Sequence, residues 1–345
     1  MTRLEDETAR VLREGIRRWL ADDPAAKSSA LRHEGVLAEL GLAGLLVAED
    51  LGGGGGTLAD AVAVSEELGR GLAETSFLTS AVMAVTALMA AGTPTAREIA
   101  TELAAGKATA QLLVPASWRS TDTSEIGPPP QIRALDSSGP ALHDWTMGAV
   151  AAEGGRTRLV AVRRSHSGTL AWPPGSGQLV ELAVDAGPVL RRALDAGRIA
   201  LAAELNGSAA RALDLVTAYA ANRATFGRLI GSYQAYRHAC AEHWISLQLN
   251  RALVRSAVHA YQTGDPETTR IAAAAAAGAA EGLRAMGEAT ILLHGGIGFT
   301  WEHQAHRHLR HANDAHAYLH GTMTQWDLAR PRRRAREERS TQDAG

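Results

Sequence analysis

The chain has a single cysteine, Cys240, among its 345 residues. One thiol cannot close an intrachain disulfide, and a zinc site built on cysteines is excluded. Lysine is nearly missing as well. Only Lys27 and Lys107 occur, and arginine carries almost all the positive charge. Beside abundant alanine, this reads as the bias of a GC-rich coding sequence. No apolar run is long enough to span a bilayer; the longest, Ile271 to Ala280, is short and alanine-rich. Met1 to Leu20 is charged and amphipathic and lacks the apolar core of a signal peptide, so a soluble, cytoplasmic protein is expected. No internal repeat of solenoid period is visible. A net charge of -2 favours neither nucleic acid nor a membrane surface. What is present, 46% hydrophobic and 21% charged residues, is the composition of a globular protein of two or three packed units.

Three textures follow one another. Residues 1–112 read as helices, with apolar positions at three- and four-residue spacing such as Leu31, Val36, Leu37 and Leu40. Within them Ala59 to Arg70 reads as a helix capped by Thr57 or Asp60, with Glu66 and Glu67 on its polar side. Residues 113–185 carry clustered prolines and short β-prone runs, Arg158 to Val162 and Gln178 to Val184. Residues 186–329 read as long helices again: Leu194 to Arg223, Gln234 to Tyr261 and Ile271 to Leu293. The run Ala272 to Ala277 allows close helix contact. The arginine-rich end, residues 330–345, reads as a solvated tail.

Three stretches stand out within this order. Leu45 to Gly69 reads LLVAEDLGGGGGTLADAVAVSEELG, Arg223 to His238 reads RATFGRLIGSYQAYRH, and His294 to His303 reads HGGIGFTWEH. Together they resemble the acyl-CoA dehydrogenase family, in which R-x-x-F-G and H-G-G-x-G motifs recur in this order. The resemblance implies a mostly α fold: a helical N-terminal domain, a short β-barrel-like middle domain and a C-terminal four-helix bundle. It also implies flavin adenine dinucleotide (FAD) as cofactor and Arg223, Thr225, Phe226, Gln234, Gly295, Gly296 and Thr322 as residues that touch it. These residue types suit the task. A guanidinium pairs with a pyrophosphate through two hydrogen bonds, an aromatic ring packs on a flavin, and glycines let backbone amides approach closely. Phe226 falls on the face of Arg223 if the helix continues, and Gly227 would end it. In the family these residues serve a neighbouring subunit's cofactor, so a homo-oligomer or an unlike partner chain is implied.

The stretch departs from the family where chemistry is done. Members remove a proton from the carbon α to a thioester with a carboxylate, while the flavin accepts a hydride from the β carbon. That carboxylate often stands in a Y-E-G stretch; here the stretch is Tyr318-Leu319-His320-Gly321-Thr322, with no acid. Other members carry it on the helix before R-x-x-F-G, a position that falls near Gly197. The available candidates are His320, Asp195 and Glu204, the last two separated by two to three helical turns. Glu302 resembles a rim residue, and Thr324 stands where many members have glutamine. His303, His306 and His308 read as a polar helix face rather than a metal site.

Three functions remain open on this reading. One is α,β-desaturation of an acyl-CoA, or service as the partner subunit in such an enzyme. Another is a repurposed member acting on an acyl-carrier or natural-product thioester. The third is a flavin-free, non-catalytic subunit.

Overall fold

The computed structural model describes residues 3–22, 37–113, 144–151, 157–163 and 179–321. The tail at 330–345, Thr322 and Thr324 lie outside the described residues, as does the side chain of His320.

The first part is helical: α1 (Arg3–Asp22), α2 (Leu58–Gly71), a π-helical stretch (Phe77–Ala84) running straight into α3 (Val85–Ala91), and α4 (Pro94–Ala104). Local chemistry sets their starts. The backbone N–H and hydroxyl of Thr57 both donate to Asp60 Oδ2 at 2.8 Å, opening α2. Thr93 Oγ1 accepts the Ala96 N–H while Pro94 takes the first helical position of α4. Glu67 is not on a polar face. It is buried, and Arg17 of α1 donates to both its carboxylate oxygens, at 2.7 and 2.6 Å.

The middle region among the described residues is an open sheet, not a barrel. Strands β1 (Ala110–Leu113), β2 (Trp145–Ala151), β3 (Thr157–Arg163) and β4 (Val180–Ala183) lie in the order 1-2-3-4. β1 and β2 pair in parallel, and the other pairs are antiparallel. Both outer strands have four residues. An edge that short cannot close on its opposite edge without the staggered pairing a barrel requires.

The C-terminal bundle holds α5 (Ala186–Asn222), α6 (Gln234–Thr263), α7 (Thr268–Leu293) and α8 (Ala305–Gly321). Asp185 caps α5 by accepting the Gly187 N–H at 3.0 Å. α5 has 37 residues and is apolar almost all round, as suits a helix buried on most sides. Its first turns pack into the core formed with the sheet, α3 and α4, whereas its remainder joins α2, α6 and α7 in a second core. Against α2 the backbones touch: a Cβ at Gly207 would lie 1.8 Å from the Glu66 carbonyl oxygen, and one at Gly69 the same distance from that of Glu204. α7 presents buried alanines from Ala272 to Ala280 to its neighbours, so the helices sit close there too.

Candidate functional site

α5 stops at Asn222 and the chain turns back on itself. Ala224–Thr225 pairs with Arg228–Leu229, leaving Phe226 and Gly227 as a two-residue tip with φ of 49° and 77°. Two positive φ values in such a loop make a hairpin turn of the primed kind. The helix therefore does not carry Phe226 onto the face of Arg223, as its continuation would have done. Gly227 suits the backbone and Phe226 does not, since a Cβ in the left-handed region crowds the following carbonyl. The ring gains nothing within the chain for that cost: it is 94% exposed.

The remaining motif residues gather at the same end of the bundle. Arg223 is the exposed C-cap of α5, its N–H on the Tyr219 carbonyl and its own carbonyl accepting from Ile230. The Thr225 carbonyl accepts from the Tyr233 hydroxyl at 3.3 Å, and Arg228 lies over the Tyr233 ring. Gln234 is exposed on the first residue of α6. The Tyr236 hydroxyl reaches both Val216 O of α5 and Leu293 O of α7, tying three helix ends together. Leu293 leads into the glycine turn, where His294 packs its ring 4.8 Å from Tyr219 and 4.2 Å from His303. Gly295 takes φ 63°, and a Cβ on Gly295 or Gly296 would meet nothing within 4 Å. The two backbones face open space.

This arrangement fits a nucleotide that approaches from outside the chain. It offers an exposed guanidinium on Arg223, an exposed aromatic ring on Phe226, an exposed amide on Gln234 and uncovered backbone at Gly295–Gly296. Among the described residues, no carboxylate pairs with Arg223.

The carboxylate candidates are elsewhere. Asp195 lies near the opposite end of α5, about 42 Å along the axis from Arg223. It is buried and fully engaged, with Arg198 Nη1 at 3.0 Å and the Thr269 hydroxyl at 2.7 Å. Burial pushes its pKa up, against the pull of Arg198 and Thr269. Position 197 has no room for an acid, because a Cβ there would meet the Met83 side chain at 2.7 Å. Glu204 lies about 13 Å beyond Asp195, so the two do not share a site. Its Oε1 is 3.3 Å from His311 Nε2 of α8. Burial pushes Glu204 up to about 7 and holds His311 down at about 4. His320 lies on the last turn of α8. Glu302 is fully exposed beside the glycine turn.

The histidines also differ from the sequence reading. His308 is not on a polar face but in the core at 0% exposure, its Nδ1 2.9 Å from the Ser208 hydroxyl. It shares a stripe with Ala305, Ala312, Ala315 and Leu319, all buried, and that three- and four-residue register was present in the sequence. Among the described residues, no group of three or more His, Cys, Asp or Glu is placed to hold a metal ion, and no helix is long and apolar enough to cross a membrane.

Apolar side chains surround the motif end. Trp244, Ile245, Leu249 and Leu253 form one exposed face of α6, and Leu292, Ile297, Phe299 and Trp301 rim the glycine turn. Sequence reasoning did not single out these residues. The signal was there in the apolar positions of α6 that exceed the stripe needed for its core.

Comparison with known proteins agrees with this arrangement. Residues 6–107 match the family model described as acyl-CoA dehydrogenase, N-terminal domain, and residues 186–323 match acyl-CoA dehydrogenase, C-terminal domain. The chain is 35% identical over 280 residues to acyl-CoA dehydrogenase IpdE2 of Mycobacterium tuberculosis, covering 80% of this chain and 78% of that protein. Its fold is similar to that of the ChsE4-ChsE5 complex from Mycobacterium tuberculosis, with TM-score 0.74, 21% identity and coverage of 95% and 96% of the two chains. It is likewise similar to PigA with FAD and proline, with TM-score 0.78, 17% identity and coverage of 95% and 97%. Motifs, fold and matched residues agree, and the chain belongs to the acyl-CoA dehydrogenase family.

Proposed function

We propose that this chain is a flavin-sharing subunit of an acyl-CoA dehydrogenase, and that the carboxylate which removes the α proton comes from an unlike partner chain. The observation that carries this reading is the separation along α5. The exposed cofactor set stands at one end of that helix, and the carboxylate near the other end is locked to Arg198 and Thr269. One chain so arranged can hold part of a dinucleotide without assembling the whole reaction centre.

In this role Arg223 pairs with the pyrophosphate of FAD, Phe226 packs on an aromatic ring of the cofactor, and the backbone at Gly295–Gly296 lies against it. Gln234 hydrogen-bonds the nucleotide, and Thr225 and Thr322 complete the contact set by their place in the motifs. When bound, the flavin supplies the hydride acceptor for α,β-desaturation of an acyl thioester. The chain's own share is to bind, orient and exclude water, for which an exposed apolar rim is suited once a partner covers it. The unlike-chain reading is supported by the fold similarity to ChsE4-ChsE5, a complex of two named chains. Asp195 is buried, and Arg198 and Thr269 each hold one of its carboxylate oxygens, which sets it apart from an open, substrate-facing base.

The test is absorbance from 300 to 550 nm of the chain purified alone, before and after addition of FAD and desalting, and again after co-expression with a family chain that carries the acid. Flavin bands only in the co-expressed sample are expected. Stoichiometric flavin in the lone chain, bleached by an acyl-CoA, sinks the partner reading and restores a self-sufficient dehydrogenase.

A further inference from the structure

α8 is held in place by imidazoles. Its buried stripe puts His308 among alanines and Leu319, where the ring's Nδ1 meets Ser208 of α5 and its buried Nε2 meets no partner among the described residues. One turn on, His311 faces Glu204 of α5 at 3.3 Å. Further along, His316 lies 3.9 Å from Glu281 of α7. Just before the helix, His303 stacks on His294 at the end of α7. The contacts of α8 with Ser208 and Glu204 of α5 both run through a ring that can gain a proton.

We propose that α8 is an acid-released clasp, which leaves the groove between α5 and α7 as its buried imidazoles take up protons while the rest of the bundle stays folded. The geometry gives the reason. Protonated His308 would donate from both nitrogens, and Nε2 has no acceptor to receive it, so a buried charge would stand unpaired. Release into water removes that cost. The α5–α7 and α2–α5 contacts are mostly apolar side chains and backbone, and their ionisable members are carboxylates, Asp195 on Thr269 and Asp214 on Arg70, not imidazoles.

The groups facing the two rings set the direction. His308 faces Ser208 and Arg211 from α5, with His303, Arg307 and His311 on its own side, and these cations add to burial in holding it down at about 3. His311 faces Glu204 from α5, Glu74 after α2 and Asp314 on its own helix; the last two favour its protonation, and burial outweighs them. Glu204 works the other way. Burial keeps its proton on up to about 7, so acid favours the docked state through this group alone. Near pH 5.5 release puts a proton on each of His308 and His311 and takes off the one held by Glu204 of α5. Release therefore takes up close to one proton, and its equilibrium shifts about tenfold per pH unit.

Hydrogen–deuterium exchange of the full chain, read by mass spectrometry between pH 7.5 and 5.0 and corrected for intrinsic exchange chemistry, tests this. Protection of peptides within 305–319 is expected to fall about tenfold per unit between pH 6 and 5, with peptides within 272–283 unchanged. Glu204→Gln should steepen the fall to about a hundredfold per unit. His308→Gln with His311→Gln should flatten or reverse it, since of these three groups only Glu204 is then left to titrate. Constant protection of α8 in the natural chain, simultaneous loss in α7 and α8, or a double variant with the natural slope overturns the proposal. If the double variant fails to fold at pH 7.5, Glu204→Gln decides alone, and an unchanged slope rejects the clasp.

Discussion

Gly207→Ala sets two effects of opposite sign against each other. Alanine in the middle of a helix is worth about 1 kcal/mol more than glycine, so propensity alone predicts a more stable protein. The crossing of α2 and α5 opposes it. The new methyl would lie 1.8 Å from the Glu66 carbonyl oxygen and 2.9 Å from the Arg70 nitrogen, both backbone atoms that cannot rotate away. A tolerable carbon–oxygen contact needs roughly 3.3 Å, so the two helices must part by about 1.5 Å. A gap of even 0.5–1 Å forfeits about a quarter to a half of each dispersion contact across it. Leu58, Ala61, Val64 and Leu68 of α2 all stand on that interface or in the core behind it. Overpacking of this kind costs about 1–3 kcal/mol or more, and here it exceeds the propensity gain. The net loss expected is about 2 kcal/mol, seen as a fall of roughly 3 °C in Tm by calorimetry. Gly69→Ala should do the same through the Glu204 carbonyl. The two together should cost far less than their sum, because one displacement relieves both clashes. A Tm at or above that of the natural chain for Gly207→Ala, or additive losses in the pair, would refute the close-crossing argument.

Phe226→Asn should raise the Tm of the lone chain, by about 1 kcal/mol of relieved backbone strain, because asparagine accepts the left-handed conformation at a hairpin tip. The same change should weaken flavin retention in the assembled protein, so stability and cofactor binding should move in opposite directions; a variant that loses both would contradict the account of the hairpin. Glu204→Gln should stabilise the protein at pH 8 and leave it nearly unchanged at pH 4.5. The folded-state pKa of Glu204 is raised above its unfolded value of 4.5, so its contribution is fully present below pH 4.5 and is lost as pH rises through about 7. Urea midpoints of the two proteins at the two pH values check it, with a gap at pH 8 of up to about 3 kcal/mol; equal midpoints at pH 8 would mean that Glu204 ionises without cost.

Much of the fold was legible because its signals are local. Thr57 and Asp60 announce a helix start whatever surrounds them, and the apolar residues spread from Leu194 to Arg223 read as one long helix. The family's glycines located the turn at Gly295 for the same reason. The missed features depend on partners far away in sequence. Glu67 looks like a surface acid until Arg17, on another helix, closes on it. The π-helical stretch from Phe77 to Ala84 is apolar on all sides, so no periodicity distinguishes it from an α-helix. The surroundings of Asp195 and Glu204 were not legible either, because Thr269, which donates to the first, and His311, which lies 3.3 Å from the second, come from two other helices. For Arg223 and Phe226, sequence marked the segment but not its shape, because a short hairpin and a frayed helix end carry the same letters.

The alanine face of α7 has a one-sided tolerance. Most cores can be damaged in either direction, by removing volume or by adding it. From Ala272 to Ala280 each buried side chain is already a single methyl, so almost nothing remains to be removed. A substitution there can only push outward, and it pushes on a helix whose opposite side is tied to the glycine turn through Leu293 and Tyr236. Drift along this stretch is thus confined to its two half-buried positions, Ala274 and Gly278. A bulky residue that arose on the buried side would announce itself at the far end of the helix, as a displaced turn, before it registered as a loss of packing.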